Sequence, residues 1–469
     1  MTLPSKLTLN AFAGGNADVS GTLADRADRW GSQGASLERQ QPLAPAAPAD
    51  LADWSCPDVG WGVVLADRDD LSAPEKARAL DAPEPIRRLL DARAGAPVFR
   101  YRRDLGTAKL ARYFLDGTRQ DPEIGLSKFG TAKGRLPLYL LIVGTPAEIP
   151  WRLQYSLNRR HHVGRLDLPE AGLANYVSAL LSGWAGMDSD PTKPLLWSVG
   201  NDPMTRTMEV TIVSQVNDAL ARDNELASAW ICSAQATAPS LVDALAKTRP
   251  ALVLTSSHGM TGPLEDASAM AATLGLPVDV NRQVLDLDAL LEAWEPSGAV
   301  WYAQACCSAG SDDGTSYEGL LGDGSRALEV LRAVGDLGAS TAPLPARLLG
   351  APRPLRAFVG HVEPTFDWTL SDVYTGQQLT GSLVEAVYPN LFRRSNLFRR
   401  WPVGMAFDEY HRGVGVLYGK LRDARDDIDK LVAGARDAAT YYRLTATDRE
   451  SLVILGDPTA AVAPLPSQR

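Results

Sequence analysis

Short apolar runs that close on a glycine or a polar loop recur along this chain and alternate with helical patterns. They include Leu136–Gly144, Leu195–Val199, Ala229–Ser233, Ala251–Ser256, Ala299–Ala305 and Leu355–Gly360. Each is long enough for a strand and too short for a helix that crosses a membrane. Apolar character without alternation means that both faces of each strand are covered, as in a parallel sheet. Helical patterns at 173–184, 204–222, 241–247 and 285–294 fall between the runs. That order predicts an α/β fold: a parallel sheet with helices on both faces, its connections right-handed.

Length and composition narrow this further. A chain of 469 residues exceeds one compact core, so two α/β subdomains and an N-terminal extension are expected. The Gly/Asp/Pro stretch at 186–194 marks their boundary. The division is 1–50 as a mobile arm or strap, 51–190 as a first α/β subdomain and 191–469 as a second. Further helices are expected over 83–93, 104–117 and 403–430. A net charge of −9 argues against nucleic acid as a partner. No apolar stretch of spanning length occurs, so no membrane is expected. The first residues lack a signal-peptide pattern, and four cysteines are too few for a disulfide framework. A cytoplasmic location follows as the expectation.

Two runs end in reactive side chains. Ala251–Ser256 leads into His258-Gly259, and Ala299–Ala305 leads into Cys306-Cys307, with His258 48 positions upstream of Cys306. A strand, a crossover and a second strand fit that spacing, and would deliver both side chains to one sheet edge, where α/β folds bind ligands. Cys306 can supply a thiolate nucleophile. His258 can take its proton and return one to a leaving amine. The backbone N–H groups of Gly259 and Cys306 are the natural oxyanion donors. This chemistry needs no cofactor and no catalytic metal. Cys307 is the competing sulfur, although strand alternation would turn it away. Ser308, Ala309 and Gly310 would keep the rim open. The acidic, glycine-rich loop 311–325 would move over the site or gate it. His161-His162 is read as structural, because adjacent histidines on a strand diverge. The basic-apolar repeat at 391–400 reads as an amphipathic helix with solvated arginines.

These residues resemble caspase-like cysteine peptidases, most closely the gingipain-type branch, with CHAT-type peptidases next. Gln304-Ala305-Cys306 with a histidine about 50 residues upstream matches the caspase pattern, except that Cys307 departs from it. The segment 139–150 followed by Val163–Leu166 resembles the first subdomain of gingipains. Phe366-Asp367-Trp368 and the closing run Val453–Thr459 are similar to later motifs of that family. The resemblance implies a caspase-like sheet sandwich and a cysteine endopeptidase acting through a thioester. It implies Trp368 and Gln304 as walls of the pocket for the residue before the cut bond (P1). It also implies Asp202 as an acidic group in that pocket that favours a basic P1 residue. From the residues alone, Asp202 also fits an Asx turn or a helix N-cap. The partners implied are a protein or peptide substrate and a regulatory protein, in a bacterial defence setting. A catalytically silent scaffold of the same fold, or a hydrolase of non-peptide amides, are the alternatives.

Overall fold

A computed structural model of the protein describes residues 3–15, 18–33, 49–392, 395–396 and 399–466. Ten strands form its central sheet. They are β1 (Trp61–Ala66), β2 (Val98–Tyr101), β3 (Tyr139–Val143), β4 (His162–Leu166), β5 (Leu195–Ser198), β6 (Ala229–Ile231), β7 (Leu252–Ser256), β8 (Val300–Gln304), β9 (Ala357–His361) and β10 (Leu452–Gly456). Their order across the sheet is β6-β5-β7-β8-β9-β10-β4-β3-β1-β2. The fold is therefore α/β, with helices flanking a mostly parallel sheet. Every residue of β3, β4, β5, β7, β8, β9 and β10 is buried, including His162 and Arg165 in β4.

Strand direction reverses once across the sheet, between β9 and β10. β5 to β9 run parallel to one another, and β10 pairs antiparallel with β9 but parallel with β4. β1 to β4 are parallel among themselves. The carboxyl ends of β5–β9 consequently lie at one sheet edge and those of β1–β4 at the other. The two halves of the chain share one sheet, stitched by a strand from the chain's end. Gly164 permits that joint, since a Cβ there would stand 2.0 Å from the Gly456 carbonyl oxygen.

Several expectations are corrected. β1 and β2 lie in a stretch read only for helices. Residues 104–117 form no helix beyond the short turn Arg103–Leu105; Arg112–Tyr113 instead pairs with Arg119–Gln120. The reason is the sheet edge: Arg100 and Ala111 exchange backbone hydrogen bonds of 2.7 and 3.0 Å, which cover the open side of β2. The helix expected over 403–430 breaks at Phe407 into Val403–Ala406 and Asp408–Asp429. His161 and His162 are buried, and burial holds their rings far below the usual imidazole range, at about 4 and about 3. The basic repeat at 391–400 is not the expected helix: its described residues Ser395–Asn396 and Arg399–Arg400 pair antiparallel, and 393–394 and 397–398 lie outside the described residues.

The N-terminal segment is a strap. Lys6–Thr8 pairs antiparallel with Ser20–Thr22, and the helix Ala27–Ser32 packs on the helix Ala435–Glu450. Trp30 Nε1–H donates to the Ser316 carbonyl at 3.0 Å, and the Tyr317 ring meets Phe366 edge-on at 4.8 Å. The 311–325 loop is thereby pinned at its centre, not free to swing as a gate.

Candidate active site

Three neighbouring strands build the site. β5 lies beside β7 and β7 beside β8, with Ser256 opposite Gln304. His258 and Cys306 each stand two residues beyond that pair, at the same height on the same edge. Gly259 brings the two loops into contact: a Cβ there would lie 2.0 Å from the Cys306 carbonyl oxygen and 3.0 Å from its nitrogen. Only glycine fits there without the backbone moving.

The loop after β5 supplies Asp202. It caps the helix Pro203–Met208, its Oδ1 accepting the N–H groups of Met204 and Thr205 at 2.9 and 3.0 Å. Its Oδ2 accepts the Thr205 hydroxyl at 2.8 Å and lies 2.9 Å from His258 Nε2. Burial works against the charge, but these hydrogen bonds, the His258 ring foremost, hold the carboxyl down at about 2. A carboxylate only accepts, so Nε2 carries the proton, and in the neutral ring Nδ1 holds the lone pair. Nδ1 is buried and has no hydrogen-bond partner among the described residues. Both Asp202 oxygens are thus engaged inside the site, and the residue lines a small slot together with His258.

Cys306 is fully buried. Its sulfur accepts the Thr365 N–H at 3.0 Å and lies 3.9 Å from the Thr365 carbonyl and hydroxyl oxygens. Burial pushes the thiol well above its ordinary range, against the pull of Thr365 and of the Asn10 backbone N–H. Cys307 does not continue the strand: its φ of 53° turns the chain left-handed. Ser308 locks that turn, its hydroxyl donating to the Ala305 carbonyl at 2.9 Å and accepting the His361 N–H at 3.0 Å. Ser308, Ala309 and Gly310 are buried and form the floor of the turn, not an open rim.

The other two expected pocket residues are both buried. Gln304 is buried, and its Oε1 accepts the Tyr302 hydroxyl. That bond ties it to the core beneath β8. Trp368 sits in the turn Asp367–Thr369 and joins the apolar cluster that holds Cys306, Leu7 and Leu9. Two residues gave no signal in the sequence reading. Thr365 touches the sulfur, and Glu363 lies buried under the Cys307 turn with its carbonyl accepting the Cys307 N–H at 3.4 Å. The alternation of Leu7, Leu9, Ala11 and Ala13 is the signal that could have marked the strap beside them as a half-buried strand.

The space at the site is small. A slot of about 30 Å³ between Phe12, Asp202, His258 and Val278 has room for a water molecule and not for a peptide side chain. A cleft of about 930 Å³ lies at the opposite sheet edge, beyond β1 and β3. Among the described residues no cluster of His, Cys, Asp and Glu could hold a metal ion, and no helix is long and apolar enough to cross a membrane. No family model and no curated protein matches the chain.

Proposed function

We propose that the protein is a cysteine endopeptidase of caspase-like, gingipain-type architecture. One observation carries the reading. His258, held at Nε2 by Asp202, keeps an unpartnered Nδ1 on the loop that touches Cys306. Cys306 is the nucleophile: His258 Nδ1 takes the thiol proton, the resulting thiolate adds to a peptide carbonyl, and the bond to the leaving nitrogen breaks as His258 returns that proton to the nitrogen. Water then hydrolyses the thioester. The N–H groups of Gly259 and Cys306 receive the oxyanion. Asp202 is a positioning residue in this reading. A basic P1 residue would share the Asp202 carboxylate with His258 and the helix cap.

A second reading, a silent scaffold of the same architecture, is favoured by the complete burial of Cys306. A peptide library separates the two. Cleavage by the wild type, lost in Cys306→Ala and in His258→Ala, supports the peptidase. Equal cleavage by wild type and Cys306→Ala would overturn it, and no cleavage under any condition that exposes Cys306 favours the scaffold.

A further inference from the structure

We infer that the groove between the loops after β7 and β9 is a strand-addition site for an extended peptide, and that this chain's own residues Leu7–Ala13 fill it. The inference rests on the peptidase reading for its meaning, but its geometry stands apart from it. On one side, the Asn10 N–H donates to the Thr365 carbonyl at 2.9 Å, and Leu9 lies antiparallel opposite Phe366. On the other, Ala11 and Phe12 run parallel to Gly259 and Met260, and the Thr261 N–H donates to the Phe12 carbonyl at 2.9 Å. The strap therefore bridges the loop that carries His258 and the loop that holds the Cys306 sulfur. That register brings the Asn10–Ala11 peptide alongside Gly259. These contacts are made by backbone, so any extended segment could make them. Burial of Leu7, Leu9 and Ala11 gives the groove apolar seats at alternate positions. The peptide it fits is an extended, uncharged one with apolar side chains at every second residue.

Asn10 shows why the occupant is releasable. Its side chain is completely buried, yet neither its oxygen nor its nitrogen has a partner among the described residues. An apolar residue would seat the strap more firmly, because a desolvated amide without a partner is a penalty. The groove is thus closed by its own chain with a built-in weak point beside the nucleophile. In this state no peptide reaches Cys306, and the protein is latent until the strap leaves.

The test uses the full-length chain with a site-specific protease sequence inserted at the exposed Gly14–Gly15 turn. Alkylation of Cys306 by iodoacetamide is followed by tandem mass spectrometry before and after nicking, with the released fragment removed by gel filtration. The expected result is a rise of at least about tenfold in alkylation rate, reversed by a synthetic peptide of residues 7–13. Point variants give a second reading on uncut protein at pH 8. Asn10→Leu should slow alkylation, and Asn10→Asp should speed it, because the groove would then bury an unpaired charge. Equal rates in wild type and both variants, together with no rise after nicking, would overturn the assignment. Faster alkylation with no peptide cleavage leaves the groove assignment standing and removes the peptidase reading. Cleavage that needs no release of the strap does the reverse.

Discussion

Asp202 and His258 are joined by a 2.9 Å contact between Oδ2 and Nε2, made by a carboxylate that also caps the helix beginning at Pro203. The same side chain thus terminates a helix and fixes an imidazole. The helix cap holds the carboxylate still, so the ring it orients is held still too.

Asp202→Asn isolates the second role. Asparagine is as good a helix cap as aspartate, so thermal stability should change by no more than about 1 kcal/mol. An amide no longer fixes the proton on Nε2, and kcat for peptide cleavage should fall by about 10²-fold with little change in KM. A full kcat with an unaltered pH profile would show that Asp202 does not position the histidine.

The two adjacent sulfurs should respond oppositely. Cys306→Ala removes the nucleophile and all cleavage. Cys307 occupies a left-handed backbone position at φ 53°, so Cys307→Gly should fold and keep activity. Cys307→Val, β-branched at the same φ, should cost about 1–3 kcal/mol in chemical denaturation. Activity lost in Cys307→Gly but kept in Cys306→Ala would exchange the assignments.

Gly259→Ala puts a methyl group 2.0 Å from the Cys306 carbonyl oxygen, and backbone must move to admit it. A loss of about 1–3 kcal/mol or more is expected, with cleavage abolished because the His258 and Cys306 loops are forced apart. Wild-type melting in this variant would contradict the contact.

Stability should also fall as pH rises through neutrality. Burial, reinforced by neighbouring carboxylates, raises Glu363 to about 8; burial alone dominates for Asp448, at about 7, and Asp367, at about 6. Between their ordinary pKa values near 4 and these, the folded state holds protons that the unfolded state has released, so stability declines with pH over that window. Asp202 acts in the opposite sense, its contribution being lost only as pH falls toward about 2. Melting temperatures measured from pH 5 to 9 should fall, and Glu363→Gln should flatten the upper part of the slope. An unchanged slope in that variant would remove Glu363 from the effect.

Much of the architecture was legible because burial on both faces leaves an unmistakable print. β3, β5, β7, β8 and β9 read as strands from apolar runs alone, and the candidate residues His258 and Cys306 fall at strand ends because parallel strands deliver loops to one edge. β1 and β2 escaped notice. Arg100 within β2 is fully buried, with Asp81 receiving it in two 2.7 Å hydrogen bonds and the Ala66 and Lys76 carbonyls accepting two more. No local pattern announces a charge whose partner lies 19 residues away.

The sequence by itself determined the α/β alternation and the placing of His258 and Cys306 at one sheet edge. These follow from strand periodicity and from spacing along the chain. The tertiary structure alone decided which groups Asp202 serves, that Gln304 is tied to Tyr302, that β10 reverses the sheet between its halves, and that Leu7–Ala13 lies across Cys306. Each of those depends on contacts between segments far apart in sequence, such as Asn10 with Thr365. Which distant backbone groups meet is fixed only when the whole sheet has assembled.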